Sequence, residues 1–341
     1  MLDINKVIAA PEYQFLWDNE HLGNRIMLLA FGGSHAHGTA TEESDINLRG
    51  CAINSPSELL GTASFDRYLD RRTDTAVFSL FRLVQQLLSA DFTSLELLGC
   101  KPEHYAVISP AGQKLLDRKS LFFTKHAASA YVGYTTALEE WLDEASARLQ
   151  LGHQCSEKNL AKNCDSAVQK FNRKFRDVEE GAAKVYVDRS NTEGMSVEVF
   201  MDVNIKHCPL RDYREMLAAL DNVIATNERT AKQRRTPDPH FMGKKMCTLL
   251  RMLYTCCDLL ETGELVTFRE KEREQLLEVR GGKFVLPQCK VAPEFKDLLQ
   301  PLKERLNYAL ANTVLPEQTD LAAVDELLIE LHRDVLAAAV V

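Results

Sequence analysis

The segment Phe31-Gly-Gly-Ser-His-Ala-His-Gly-Thr-Ala-Thr-Glu-Glu-Ser-Asp-Ile-Asn-Leu-Arg-Gly50 constrains this chain more than any other. Ahead of it, Arg25-Ile-Met-Leu-Leu-Ala-Phe31 is a short apolar run stopped by two glycines, the pattern of a buried strand. At Gly32-Gly33-Ser34 the missing Cβ atoms let backbone come close to a ligand. A helix starting there offers free N–H groups, and with the Ser34 hydroxyl these form an anion site suited to terminal phosphates. Ten residues separate Ser34 from Asp45. A second strand reads over Asp45 to Ile53, so Asp45 and Asn47 stand at i and i+2 on one face and can share a metal cluster. Asp74 opens the next clear strand, Asp74-Thr-Ala-Val-Phe78, from which a neighbour can present a third oxygen ligand.

Mg²⁺ takes oxygen ligands from a few carboxylates and completes its shell with water and substrate phosphates. Two such ions about 4 Å apart can activate an attacking hydroxyl and stabilise the leaving group of an in-line phosphoryl displacement. The pattern suits transfer of a nucleotide from an NTP with pyrophosphate leaving.

Around this segment the first ~120 residues read as mixed α/β. Ser55-Pro-Ser-Glu58 has the form of a capping box with proline at the first helical position, ended by Gly61. Leu80, Leu83, Val84, Leu87 and Leu88 fall on one face of a helix that follows the Asp74 strand. Beyond Ser109-Pro110 strand signals nearly vanish, and helical patterns run over 125–150, 158–185, 209–229 and 239–261, with two more near the C-terminus. The segments 188–195 and 280–287 read as breaks. These features predict an α+β chain: a catalytic domain over 1–120 and a single helical domain over 121–341.

The motif Gly33-Ser34…Asp45-Ile46-Asn47 resembles the G-[GS]-x(9–13)-D-x-[DE] hallmark of nucleotidyltransferases of the DNA polymerase beta superfamily. More narrowly, Gly33 to Gly50, Asp74-Thr-Ala-Val-Phe-Ser-Leu80 and Asp91-Phe-Thr-Ser-Leu-Glu-Leu-Leu98 are similar to blocks of bacterial and phage predicted nucleotidyltransferases of that superfamily. Lys244-Lys-Met-Cys-Thr-Leu-Leu-Arg251, Leu260-Glu-Thr-Gly-Glu-Leu265 and Val279-Arg-Gly-Gly282 echo the family's helical half, so the resemblance spans roughly residues 25 to 285. It implies a mixed sheet with flanking helices and a mostly helical second domain. It further implies Mg²⁺, or Mn²⁺, held by Asp45, the residue at Asn47 and Asp74, with Gly33, Ser34, Lys244 and Arg251 on the nucleotide. The departure is Asn47, where the family has an acid. Asparagine keeps the size and one coordinating oxygen but loses the charge, a gross electrostatic loss of about 4 kcal/mol per unit charge at about 4 Å. Lys245 and Thr248 also stand where the family has histidines.

Composition sets limits on the rest. Apolar residues make up 45% and charged residues 26%, the balance of a soluble globular protein. No apolar run approaches the ~18 residues of a membrane span, and the first residues show no basic region followed by an apolar stretch, so nothing in them suggests secretion. Nine cysteines without a C-x-x-C pair read as free thiols in the cytoplasm rather than as a zinc site. A net charge of −8 argues against bulk coating of nucleic acid. Between Arg229 and Arg251, however, seven Lys/Arg face one acid, Asp238, read either as a solvated face or as a groove for triphosphate or polynucleotide. His35 and His37 read as solvated, Arg49 as the partner of a carboxylate, and Glu96 as structural. The expected activity is Mg²⁺-dependent transfer of a nucleoside monophosphate from an NTP to a hydroxyl of an RNA or tRNA end, a protein or a small molecule. The alternative is an inactive nucleotide-binding or regulatory protein of the same fold.

Overall fold

A computed structural model describes residues 2–151, 183–189, 197–203, 221 and 238–339. The chain forms two compact units: residues 1–142, 240–285 and 292–341 make one, and residues 143–239 and 286–291 the other.

The first unit is built on a five-stranded mixed sheet in the order β3-β4-β2-β1-β5. Its strands are β1 (Ile26–Gly32), β2 (Asn47–Ala52), β3 (Arg67–Asp70), β4 (Thr75–Ser79) and β5 (Tyr105–Ile108). Every residue of β1 is buried, as its unbroken apolar run requires of a central strand covered on both faces. β2 runs antiparallel to β1 and parallel to β4, while β3 and β5 pair antiparallel at the edges. On one side Ile4, Leu16, Leu22, Ile26, Leu29, Leu48 and Val77 share a core with neighbouring apolar residues.

Short helices precede, connect and follow these strands: α1 (Ile4–Ile8), α2 (Phe15–Asp18), α3 (Gly33–His37), α4 (Pro56–Leu60), α5 (Leu80–Leu88), α6 (Phe92–Leu98) and α7 (Pro110–Asp117). The capping box of α4 forms in both halves: Glu58 N–H donates to the Ser55 hydroxyl, and Ser55 N–H donates to the Glu58 carboxylate. Glu58 also accepts from Arg25 at 3.0 Å, so this local helix signal anchors the start of β1 as well. The side chains of Ser79, Asp91 and Ser109 cap α5, α6 and α7, each accepting from one otherwise orphaned N–H.

Four long helices and one short one follow among the described residues: α8 (Lys125–Leu151), α9 (Pro239–Thr262), the short α10 (Arg273–Arg280), α11 (Pro293–Asn312) and α12 (Leu321–Ala339). The α+β class is therefore as expected. Of the helix predicted over 158–185, residues 158–182 lie outside the described residues. So does the helix predicted over 209–229, apart from residue 221, which is helical.

The mostly helical second half also holds strands: β6 (Ala183–Arg189) and β7 (Val197–Val203) form an antiparallel hairpin within the second unit, with Tyr186 opposite Phe200, so residues 183–185, expected at the end of a helix, are strand instead. The Tyr186 and Phe200 rings stack at 5.9 Å. Val185 and Val187, and Val197, Val199, Met201 and Val203, fall at every second position, which is the period of a strand.

Candidate active site

Strand register lines up the expected residues. Gly32 pairs with Asn47 across β1 and β2, and Leu48 pairs with Thr75 across β2 and β4. Gly32, Asn47 and Asp74 therefore meet at one end of three adjacent strands. Leaving β1, the chain turns at Gly33, whose φ of +56° L side chains rarely adopt. A Cβ there would also collide with the amide oxygen of Asn47, so both conformation and space call for glycine. The Ser34 hydroxyl has no hydrogen-bond partner among the described residues and stands beside this turn. α3 is only five residues long and ends at Gly38, with φ +80°.

Asp45 lies just ahead of β2 rather than within it, exposed and without a partner among the described residues. Asp74 ends the β3–β4 turn with φ +43°, a left-handed backbone that aspartate tolerates better than most residues. Its carbonyl accepts from Leu48 N–H at 3.3 Å and from Arg49 at 2.5 Å. Both carboxylate oxygens are occupied: Arg49 donates to Oδ1 at 3.2 Å, and the side-chain amide of Asn47 donates to Oδ2. Arg49 is thus the carboxylate partner expected of it.

Mg²⁺ is the ion the superfamily implies, and these residues do not fit it as they stand. Asp74 spends both oxygens on cationic and amide donors, and Asn47 turns N–H toward it where a metal site needs oxygen. Among the described residues no group of three or more His, Cys, Asp or Glu could hold a metal ion. Asn47 thus presents an uncharged amide donor to the Asp74 carboxylate.

Behind the turn lies a second polar cluster. His37 Nε2 donates to Glu96 Oε2 at 2.8 Å, and Arg251 on α9 donates to Glu96 Oε1 at 2.5 Å, all three side chains being largely buried. Burial alone raises a carboxylate pKa, but Arg251 and then His37 outweigh it and hold Glu96 down at about 2. His37 itself is pushed below its ordinary value by burial and by Arg251. His37 is therefore not a solvated loop histidine. It lies in α3 itself, and its ring is fixed by a partner 59 residues away. His35 also leaves solvent in part, its ring tilted against Phe31 at 5.5 Å.

The segment from Thr267 to Arg280 closes over the same region. Thr267 donates through its hydroxyl to the Glu96 carbonyl at 2.7 Å and through its N–H to Gly99. Arg269 N–H donates to the His37 carbonyl, Arg273 Nε to the Gly38 carbonyl at 3.0 Å, and Arg280 to the Ser44 hydroxyl at 3.1 Å. Phe268 fills the space beside Gly38.

The structure therefore brings together Gly33, Ser34, Asn47 and Asp74, with Asp45 at their edge. It does not present Arg251 to the turn, because that residue is 6% exposed and its guanidinium is bound to Glu96. Lys244 is exposed on α9 and makes no ion pair with the turn or the carboxylates among the described residues. The roles of Glu96 and His37 were legible only indirectly. Arg251 stands inside the apolar run Leu249 to Leu253, and a charge in such a run demands a buried partner.

The mixed five-stranded sheet, whose central strand feeds a Gly-Ser turn beside Asp45, Asn47 and Asp74, is similar to the nucleotidyltransferase domains of the DNA polymerase beta superfamily, and the family match of the first part of the chain supports that class. Residues 12–152 match the family described as RlaP, RNA repair pathway DNA polymerase beta family. Neither a curated protein nor a solved structure matches the chain. Among the described residues no helix is long and apolar enough to cross a membrane.

Proposed function

We propose that this chain serves RNA repair by taking up an NTP at Gly33-Ser34 and transferring its nucleoside monophosphate to a hydroxyl at an RNA end, at a rate held down by Asn47. The observation that carries this reading is the alignment of Gly33, Asn47 and Asp74 at one end of adjacent strands, within a segment that matches an RNA-repair family. In the transfer, the acceptor oxygen bonds to the α-phosphorus as the bond from that phosphorus to the bridging oxygen breaks. Pyrophosphate leaves with the electron pair, and the hydroxyl proton passes to water. Gly33 and Ser34 hold the terminal phosphates, Lys244 is a further candidate, and Arg251 acts from behind through Glu96 and His37. The six described cysteines form no disulfide, which favours a reducing compartment such as the cytoplasm.

The second reading, a nucleotide-binding protein without transfer, is favoured by the engagement of both Asp74 oxygens. One experiment separates the two. Protein and its Asn47→Asp variant are incubated with each labelled NTP, Mg²⁺ or Mn²⁺ and total RNA. Asn47→Asp is expected to raise labelling by ~10²-fold or more, the scale of one transition-state electrostatic contact. Asp45→Ala or Asp74→Ala in that background removes the gain, because such a cluster acts as a unit. A folded Asn47→Asp protein that binds NTP no better and labels nothing rules out the enzyme.

A further inference from the structure

The turn between β3 and β4 carries Arg71, Arg72, Thr73 and Asp74 in succession. Together with Tyr13, Asp45 and neighbouring residues it lines an open cleft of about 630 Å³. Ligand pockets run to roughly 300–1,000 Å³, so the cleft admits a nucleotide. Gly33 and Ser34 do not line it. Asn47 stands between, against Gly33 on one side and bonded to Asp74 on the other.

Both arginines of this turn are exposed. Arg71 has no partner among the described residues, and Arg72 donates to the backbone carbonyl of Glu12 at 2.7 Å. The turn that presents them is fixed by Asp70. Its Oδ1 accepts from the N–H groups of Arg72 and Thr73, both at 2.9 Å, and from the Thr73 hydroxyl at 3.2 Å. Guanidinium is the side chain best shaped for phosphate oxygens, because its planar fork donates in pairs.

In an in-line displacement the acceptor approaches opposite the leaving group. With pyrophosphate at Gly33-Ser34, the acceptor must come from the far side of the carboxylates, where this cleft opens. We propose that the cleft is the acceptor subsite, in which Arg71 and Arg72 hold a backbone phosphate of a single-stranded RNA end and set its terminal hydroxyl beside Asp45 and Asp74. The inference rests on the transfer reading above and adds the place and the residues that select a polynucleotide. Tyr13, the aromatic residue of the lining, is only 4% exposed. Bases therefore find no stacking platform in the cleft, and recognition is of the backbone, tolerant of sequence.

The test measures binding of a short fluorescent single-stranded RNA with a free 3′ hydroxyl, by anisotropy, and of ATP, by calorimetry. It uses the full chain and its Arg71→Ala, Arg71→Glu and Arg71→Ala/Arg72→Ala variants. RNA affinity is expected to fall several-fold in Arg71→Ala, at least about tenfold in the double variant, and further on charge reversal. The salt dependence of log K should flatten by about 0.7 for each phosphate that the variant no longer neutralises. ATP affinity should stay unchanged. RNA affinity that is unchanged in the variants, or undetectable in the unmodified protein, overturns the proposal. Equal loss of ATP and RNA assigns the arginines to the triphosphate and overturns it too. Failure of the unmodified protein to bind ATP instead removes the transfer reading beneath it.

Discussion

Arg251 and Glu96 form a buried ion pair at 2.5 Å although 155 residues separate them in the chain. Glu96 also receives the His37 hydrogen bond, so the pair reaches from α9 through α6 to the short helix that carries Gly33 and Ser34.

Removing one partner of such a pair leaves a buried charge uncompensated, which costs about 3–5 kcal/mol. Arg251→Ala is expected to lower stability on that scale, measured as the urea midpoint with its slope. Arg251→Met combined with Glu96→Leu should recover most of the loss, since apolar replacement of both partners is often neutral. A single-variant loss below about 1 kcal/mol would mean that water reaches Glu96.

Acid should weaken this cluster in two stages. A buried His37 with a lowered pKa binds its proton less readily than the unfolded chain does, so stability falls as pH drops below about 6.5. Glu96, held at about 2 against an ordinary value near 4.5, adds stability that is complete above the ordinary value and is lost as pH falls toward 2. Thermal melts across pH should show both slopes. His37→Gln should flatten the upper stage and leave the lower one in place.

Gly33→Ala meets two penalties: a left-handed backbone, worth about 1–2 kcal/mol for an L residue, and collision with the Asn47 amide oxygen. Adding Asn47→Ala should relieve the second alone, giving a measurable coupling between neighbouring sites. NTP affinity should drop in Gly33→Ala whatever the residue at position 47. An additive double variant would show that Asn47 moves aside without cost.

Binding at Gly33-Ser34 should favour NTP over NMP, because the turn and its hydroxyl hold the terminal phosphates. Calorimetry giving equal affinities removes that assignment. Lys244→Ala should weaken triphosphate or RNA binding while changing stability by under about 0.5 kcal/mol, as exposed substitutions do. Unchanged binding would leave Lys244 on a merely solvated face.

Local features of the sequence were legible where local physics decides them. The apolar run of β1, the glycine turn, the capping box of α4 and the spacing from Ser34 to Asn47 each follow from neighbours in sequence. Asp45 was placed inside the strand because side-chain alternation cannot reveal where pairing starts; β2 begins at Asn47. The edge strands β3 and β5 are four residues each, too short for period two to stand out. The hairpin at Val185 and Val199 had the right alternation but was overshadowed by the helical patterns around it. His37 could not be read locally at all, since its surroundings depend on Glu96 and Arg251, and no spacing encodes that meeting.

Distance along the chain has a consequence for synthesis. Gly33, Asn47 and Asp74 leave the ribosome before α9 does, and Arg251 follows Glu96 by 155 residues. At roughly 5–20 residues per second, that interval lasts on the order of 8–30 s. For that time the nascent α6 has a carboxylate with no cation to meet it, and the turn that α3 begins has neither Arg269 nor Arg273 on its carbonyls.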